Sequence, residues 1–270
     1  MSCPPTDSAP SLLPFSPAAE RTLTVFGGTV ELALLPQRAQ RLPEGAGRRA
    51  AARPALLPCR ADQIVAKEAY WRHGDLAVTP NLYPFAREQR ILWMAKPARE
   101  PDFDFWCAAH DWLERANGTL LLNNIGAAAS IARAHAHLIG ERLHWLQNRP
   151  DRTPQRETPP PIELPAGVDL VFKELPFLVL GVRGPARARA EAMMRLADAR
   201  LTATWNVIAD RDTTWAVPRR VEVPAPNFPE PLGAAELWGR WCYLDPAAFE
   251  AADGAMLERA LMQATTPALA

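Results

Sequence analysis

Lysine is almost missing from this chain. Of its 30 basic residues only Lys67, Lys96 and Lys173 are lysine, and the bias goes with abundant alanine and proline, so the arginine count reads as genome composition and not as a phosphate-binding adaptation. An excess of one charge is missing as well, since 30 acidic residues balance the 30 basic ones. Zero net charge removes the bulk attraction that draws proteins to nucleic acid or anionic membrane, and any anion site has to be local. The four cysteines, Cys3, Cys59, Cys107 and Cys242, lie far apart with no Cys-x-x-Cys among them, which excludes a disulfide framework and a thiolate zinc site. No apolar run approaches the ~20 residues that cross a bilayer, and residues 1–20 carry neither a basic leader nor a continuous apolar stretch. The chain reads as cytoplasmic, with reduced thiols and no membrane or nucleic-acid partner.

What is present is enough chain for a real core: 270 residues, 48% of them hydrophobic, one large or two small domains at about 150 residues each. Its 28 prolines are about twice the usual ~5% share and argue for many loops and short elements. Residues 1–20 read as a loose arm. Leu23 to Leu35 is β-branched enough for one or two strands, followed by a Pro/Gly/Arg connection. Leu76–Thr79, the turn-like PNLYPF and Arg90–Met94 form a β-turn-β unit. Asp102 caps a helix to about Asn117, with Phe103, Trp106, Ala109, Trp112 and Leu113 at helical spacing and Gly118 ending it. Residues 149–165 are the best linker. Beyond them come a short buried strand (ELPFLVLGV), a helix (AEAMMRLADARL), two strands flanking the turn Asp210-Arg211-Asp212, and a last helix from Asp245-Pro246 to about Gln263. The reading is an α+β fold with a largely antiparallel sheet, helices packed on it, and two halves, 21–148 and 166–270.

The informative segment is TLLLNNIGAAASIARAHAHLIGERL, 119–143. From Ser130 onward polar and small apolar residues alternate, and a period of two is strand geometry, so Arg133, His135 and His137 share one face with alanines behind. Asn123, Asn124 and Gly126 open a small-residue loop whose backbone can approach a ligand. Three chemistries compete for this cluster: a solvated strand face, a zinc site that needs a third ligand and tolerates no neighbouring cation, and covalent catalysis on phosphorus with an imidazole nucleophile. Elsewhere, His73 and His144 are isolated, His110 fits a surface or satisfied core group, and the tryptophans fit core packing. Of Arg219 and Arg220, adjacent on a strand, at most one can reach a phosphate.

The segment resembles the histidine-triad superfamily, in the branch that holds galactose-1-phosphate uridylyltransferase, diadenosine tetraphosphate phosphorylase and the GDP-hexose phosphorylases. That branch carries an Asn, a Gly-containing loop, a Ser or Thr, then His-x-His-x-Gln; the hydrolase branch ends in His-x-His-x-His. The triad positions here are Arg133, His135 and His137, with Asn123 at the family Asn. PNLYPFAREQRILW resembles the Asn-x-Tyr-Pro strand pair that borders the nucleotide and brings in Asn81. TWNVIADRDTTWAVPRR and PLGAAELWGRWCYL resemble the phosphorylases' C-terminal strands and closing segment.

The resemblance implies a nucleotide substrate, a nucleoside diphosphate sugar or dinucleoside polyphosphate, attacked by His135 to form a nucleotidyl-histidine. Ser130 and His137 would hold phosphate oxygens, Arg133 would balance charge, and Asn123, Gly126 and Asn81 would line the substrate. The departures are as specific. Arg133 replaces the first triad histidine but keeps the backbone carbonyl that receives the nucleophile's other ring N–H. The family's zinc cysteines fall on RPALLPCRADQ, where Cys59 stands alone, so its zinc site is lost. No cofactor is required, though a divalent ion can accompany the nucleotide. His137 replaces Gln, as in hydrolases, and PFAREQRI lacks the common Gly-His. A hydrolase, a catalytically reduced nucleotide-binding protein and a homodimer all stay open.

Overall fold

The computed structural model describes residues 4, 12–41, 58–152, 163–199 and 202–268. Strands β1 (Ala19–Val25) and β2 (Gly28–Leu34) form a hairpin. Its two-residue turn has φ of +46° at Phe26 and +73° at Gly27, the positive-φ pair that a tight hairpin with native twist requires. The hairpin opens at Ala19, inside the expected arm. Helix α1 (Pro58–Glu68) follows, a helix that the proline-rich text around it concealed. Then come β3 (Trp71–His73), β4 (Leu76–Pro80) and β5 (Arg90–Met94). Helix α2 (Phe103–Ala116) starts where Asp102 Oδ1 accepts the Phe105 N–H at 2.9 Å and ends on Asn117, whose φ of +51° makes it the left-handed cap expected of Gly118.

Strand β6 (Thr119–Asn123) and strand β7 (His135–Ile139) carry the informative segment. The short β8 (Asp151–Arg152) lies at the start of the expected linker, of which residues 153–162 lie outside the described residues. The second half supplies β9 (Asp169–Lys173), β10 (Leu180–Arg183), α3 (Ala186–Ala199), β11 (Trp205–Ala209) and β12 (Thr213–Pro218). Helix α4 (Ala234–Trp238) and strand β13 (Arg240–Tyr243) close the fold, followed by α5 (Pro246–Ala251) and α6 (Gly254–Ala264). The expected single last helix is thus two, because Asp253 caps a fresh start by accepting the Met256 N–H at 2.7 Å.

Ten strands form one sheet in the order β3-β4-β5-β7-β6-β11-β12-β10-β9-β8, and β1-β2-β13 form a second. The long sheet is antiparallel throughout, and its order contains a repeat. Each half runs strand, strand, helix, strand, strand, and its four strands lie side by side as first, second, fourth, third. The two halves meet where β6 pairs with β11. Helices α2 and α3 cover one face, burying Leu120, Leu122, Ala136, Leu138, Val207 and Ala216 with Trp106, Trp112 and Met193. The other face meets the small sheet and the C-terminal helices through Leu121, Ile139, Ile208, Trp215 and Val217. His135 and His137 alternate with Ala136 and Leu138, so they point to this second face. In the second half Trp215 occupies the comparable place on β12, opposite Gly181, where a Cβ would collide with its ring. Among the described residues, the strand pair that carries the two histidines in the first half thus has no histidine counterpart in the second.

Candidate active site

Strand β7 begins at His135, later than the alternation from Ser130 suggested. Residues 130–133 form bends, although the Met94 N–H still bonds the Ala134 carbonyl at 3.0 Å. The period of two therefore holds for His135 and His137 and not for Ser130 or Arg133. All three triad-position side chains are buried: Arg133, His135 and His137 are 5–6% exposed, where the solvated strand face would have left them open.

His135 Nδ1 lies 2.7 Å from the Arg133 carbonyl oxygen. A carbonyl only accepts, so Nδ1 carries the proton and Nε2 holds the lone pair. The Trp93 ring stacks on the imidazole at 4.7 Å and 23°, from the position directly across the strand pair, and is itself pinned by a 3.0 Å bond from its Nε1 to Thr79 Oγ1. His137 Nδ1 lies 2.9 Å from Gln89 Nε2, and the Phe85 ring meets His137 edge-on at 5.1 Å. The two imidazoles are 5.8 Å apart, nearly perpendicular. Trp93 and Gln89 were not identified from the sequence, since each becomes visible only when β5 is laid beside β7.

Arg133 does not face the histidines' chemistry through its guanidinium. Nη1 donates to the Ala95 carbonyl at 2.9 Å, and Nη2 sits 2.6 Å from Asp62 Oδ1 as an ion pair, at an angle that makes no hydrogen bond. Asp62 lies on α1, which packs its Ala61 and Val65 against Ala77 and Trp93. A permanent cation stands at the first triad position and is paired with a carboxylate from the segment that would carry the cysteines. Among the described residues no group of three or more His, Cys, Asp and Glu converges; Cys3 and the Cys59 side chain lie outside what is described.

The loop after β6 is shaped by its own partners. Asn123 Oδ1 accepts from Asn206 Nδ2 at 2.7 Å and from the Ala234 N–H at 2.8 Å, and Asn206 Nδ2 also reaches the Ala127 carbonyl. Arg219 Nη1 donates to Asn206 Oδ1 and to the Leu232 carbonyl, so the buried Arg219 is consumed by structure and reaches no phosphate. The loop N–H groups of Ala127 and Ala129 bond the Asn124 carbonyl, that of Ala128 bonds Glu222 Oε1, and the Asn124 amide bonds Glu100. The loop offers a ligand fewer free donors than its text suggested. Gly126, at φ +84°, abuts Thr204. Ser130 is half-buried beside this loop.

Asn81 is buried; its Oδ1 accepts the Tyr83 N–H at 3.1 Å, and its Nδ2 has no hydrogen-bond partner among the described residues. A buried orphan donor costs about 1–3 kcal/mol unless something supplies an acceptor. Glu88, within the PFAREQRI segment that lacks the common Gly-His, takes a left-handed φ of +50°, a conformation that favours glycine. Glu236, fully buried at the α4 N-terminus, accepts from the Gly233 N–H at 2.8 Å, and burial raises its carboxyl to about 7. His110, far behind on α2, is the second of the two groups expected, a satisfied core group and not a surface one: Nδ1 meets the Ala186 carbonyl at 3.1 Å and Nε2 meets Thr214 Oγ1 at 2.9 Å.

No family model matches the chain, and no curated protein matches it in sequence. Solved structures match in fold. The yeast Ap4A phosphorylase Apa2 in complex with Ap4A aligns with a TM-score of 0.67 at 13% identity, covering 96% of this chain and 93% of that one. The same protein in complex with AMP aligns with a TM-score of 0.67 at 14% identity, covering 96% and 91%. An ADP-glucose phosphorylase from Arabidopsis thaliana aligns with a TM-score of 0.41 at 10% identity, covering 90% and 98%. The chain shares its fold, α+β with one large antiparallel sheet, with the Ap4A phosphorylase structures. Among the described residues no helix is long and apolar enough to cross a membrane.

Proposed function

We propose that the protein is a nucleotidyltransferase of the phosphorylase kind, acting on a dinucleoside polyphosphate or a nucleoside diphosphate sugar through a nucleotidyl-histidine at His135. The observation that carries this reading is the 2.7 Å contact between His135 Nδ1 and the Arg133 carbonyl. It places the proton on the far side of the ring from the nucleophilic lone pair, so an arginine at the first triad position costs the nucleophile nothing. In the reaction, the Nε2 lone pair attacks the α-phosphorus in line, the bond to the bridging oxygen breaks, and the leaving phosphate departs. An acceptor then displaces the histidine and its lone pair returns to Nε2. The Nε2–H of His137 and the hydroxyl of Ser130 would hold phosphate oxygens. Asn81 Nδ2 would donate to the substrate, which gives that orphan a partner. Asn123 and Gly126 act by holding the loop against β11 and α4. Arg133 acts through its carbonyl and through the tie to α1.

The fold it shares with an enzyme solved with Ap4A suggests the first substrate to try. Protein incubated with Ap4A and quenched in base should gain the mass of one adenylyl group, and His135→Ala should gain none. An adduct that survives in His135→Ala, or turnover without loss in that variant, overturns the covalent reading. A protein that binds Ap4A without turnover and without adduct would be the catalytically reduced alternative.

A further inference from the structure

The geometry points to Gln89 as a positioning residue that fixes His137 as a hydrogen-bond donor through Nε2–H, and so steers the second half of the reaction to phosphate instead of water. The orientation of the Gln89 amide is decided by its neighbours. The Phe85 backbone N–H, which can only donate, lies 2.9 Å from Gln89 Oε1 in a buried contact. The amide oxygen therefore sits there, and the NH2 end faces His137 Nδ1 at 2.9 Å. An amide nitrogen has no lone pair to accept with, so Nδ1 is the acceptor and a neutral ring keeps its proton on Nε2. Gln89 is 1% exposed, and turning the amide over would set its NH2 against the Phe85 N–H, donor against donor. The Phe85 ring edge holds the imidazole plane.

His135 and His137, two residues apart on one strand, therefore carry opposite tautomers. His135 is protonated on Nδ1 and has its lone pair on Nε2; His137 is protonated on Nε2 and spends its Nδ1 lone pair on Gln89. A second proton on His137 would go to Nδ1, where the Gln89 amide already aims an N–H. The consequence for the reaction rests on the nucleotidyl-histidine reading. When the bond between phosphorus and His135 Nε2 breaks, inorganic phosphate attacks with an oxygen that is already ionised and has no proton to lose. Water must lose a proton as its oxygen bonds to phosphorus, and His137, with Nε2 already protonated, cannot take it. A histidine locked in this way does what an amide side chain would do at the same place: it donates to an oxygen and serves as no base.

Two-bond proton–nitrogen correlation spectra of the nitrogen-15-labelled full chain, assigned with His137→Gln, read the tautomers without substrate. The expected wild-type result is His137 protonated on Nε2 and His135 on Nδ1. Gln89→Glu keeps an oxygen for the Phe85 N–H and turns the other towards His137, so it should move the His137 proton to Nδ1 and free Nε2 as a base. With Ap4A and inorganic phosphate, the ratio of AMP to ADP formed should then rise at least about tenfold, the low side of what a positioned general base contributes. A wild-type His137 protonated on Nδ1, or a product ratio unchanged in Gln89→Glu, overturns the proposal. If the wild-type tautomers are as expected but Ap4A leaves no adduct on His135, the transfer reading fails and the Gln89 lock stands.

Discussion

His110 should make the protein acid-sensitive in a way that one substitution removes. Its imidazole is fully buried between α2 and α3. Nδ1–H donates to the Ala186 carbonyl, and Nε2 accepts from Thr214 Oγ1, which also receives Arg189 Nη1 at 3.3 Å. Burial is the largest influence on this ring and the Arg189 guanidinium adds to it, while the bond to Ala186 pulls the other way; the net effect lowers it from 6.5 to about 3. A group with a depressed folded value binds its proton more readily when unfolded. Its contribution to stability is therefore complete above pH 6.5 and is lost as the pH falls through that value towards about 3. Each pH unit in this window costs about 1.4 kcal/mol. Going from pH 7 to pH 5 therefore removes about 2 kcal/mol through this group alone, or roughly 4–8 °C in melting temperature for a domain of this size. His110→Gln is less stable at pH 7, having lost the paired geometry, but has no proton to take up. The measurement is urea or thermal unfolding of both proteins at pH 7 and pH 5. The stability gap between them should shrink by about 2 kcal/mol on acidification. Parallel pH dependences would refute the argument and show that the ring titrates as it does in the unfolded chain.

Glu236 should give the opposite sign: burial raises its carboxyl to about 7, so the stability it leaves intact below pH 4.5 falls as the pH rises towards 7. Glu236→Gln should flatten that part of the unfolding profile. Asp62→Asn should destabilise by about 1 kcal/mol in urea unfolding and no more, because the Asp62 side chain is 52% exposed although its partner is buried. Asn206→Leu should be far more damaging, about 3 kcal/mol, because it strips the buried Arg219 of an acceptor and unties Asn123 and the Ala127 carbonyl at once. The rate of adduct formation at His135 should fall with it, because the loop would no longer be held.

Local chemistry carried much of this protein's design in plain text. The helix start at Asp102, the strand pair around PNLYPF, the turn at Asp210-Arg211-Asp212 and the alternation of His135 and His137 with small residues all depend on neighbours within a few positions, where side-chain type and backbone preference decide the outcome. The likeness of residues 119–143 to the histidine triad was visible for the same reason, because the motif is contiguous. Contacts between strands distant in the chain decided the rest. Ser130 and Arg133 share the written alternation yet leave the strand, because β5 offers partners only to the residues from His135 to Leu138, with a last bond at Ala134. Arg133 turned from an expected phosphate ligand into the partner of Asp62, 71 positions earlier, because α1 packs over Trp93 and brings that carboxylate to a buried guanidinium. Gln89 acquired its place beside His137 from the register of β5 on β7. The same imidazole side chain thus became a donor at one Nδ1 and an acceptor at the other, because a carbonyl met the first and an amide N–H met the second.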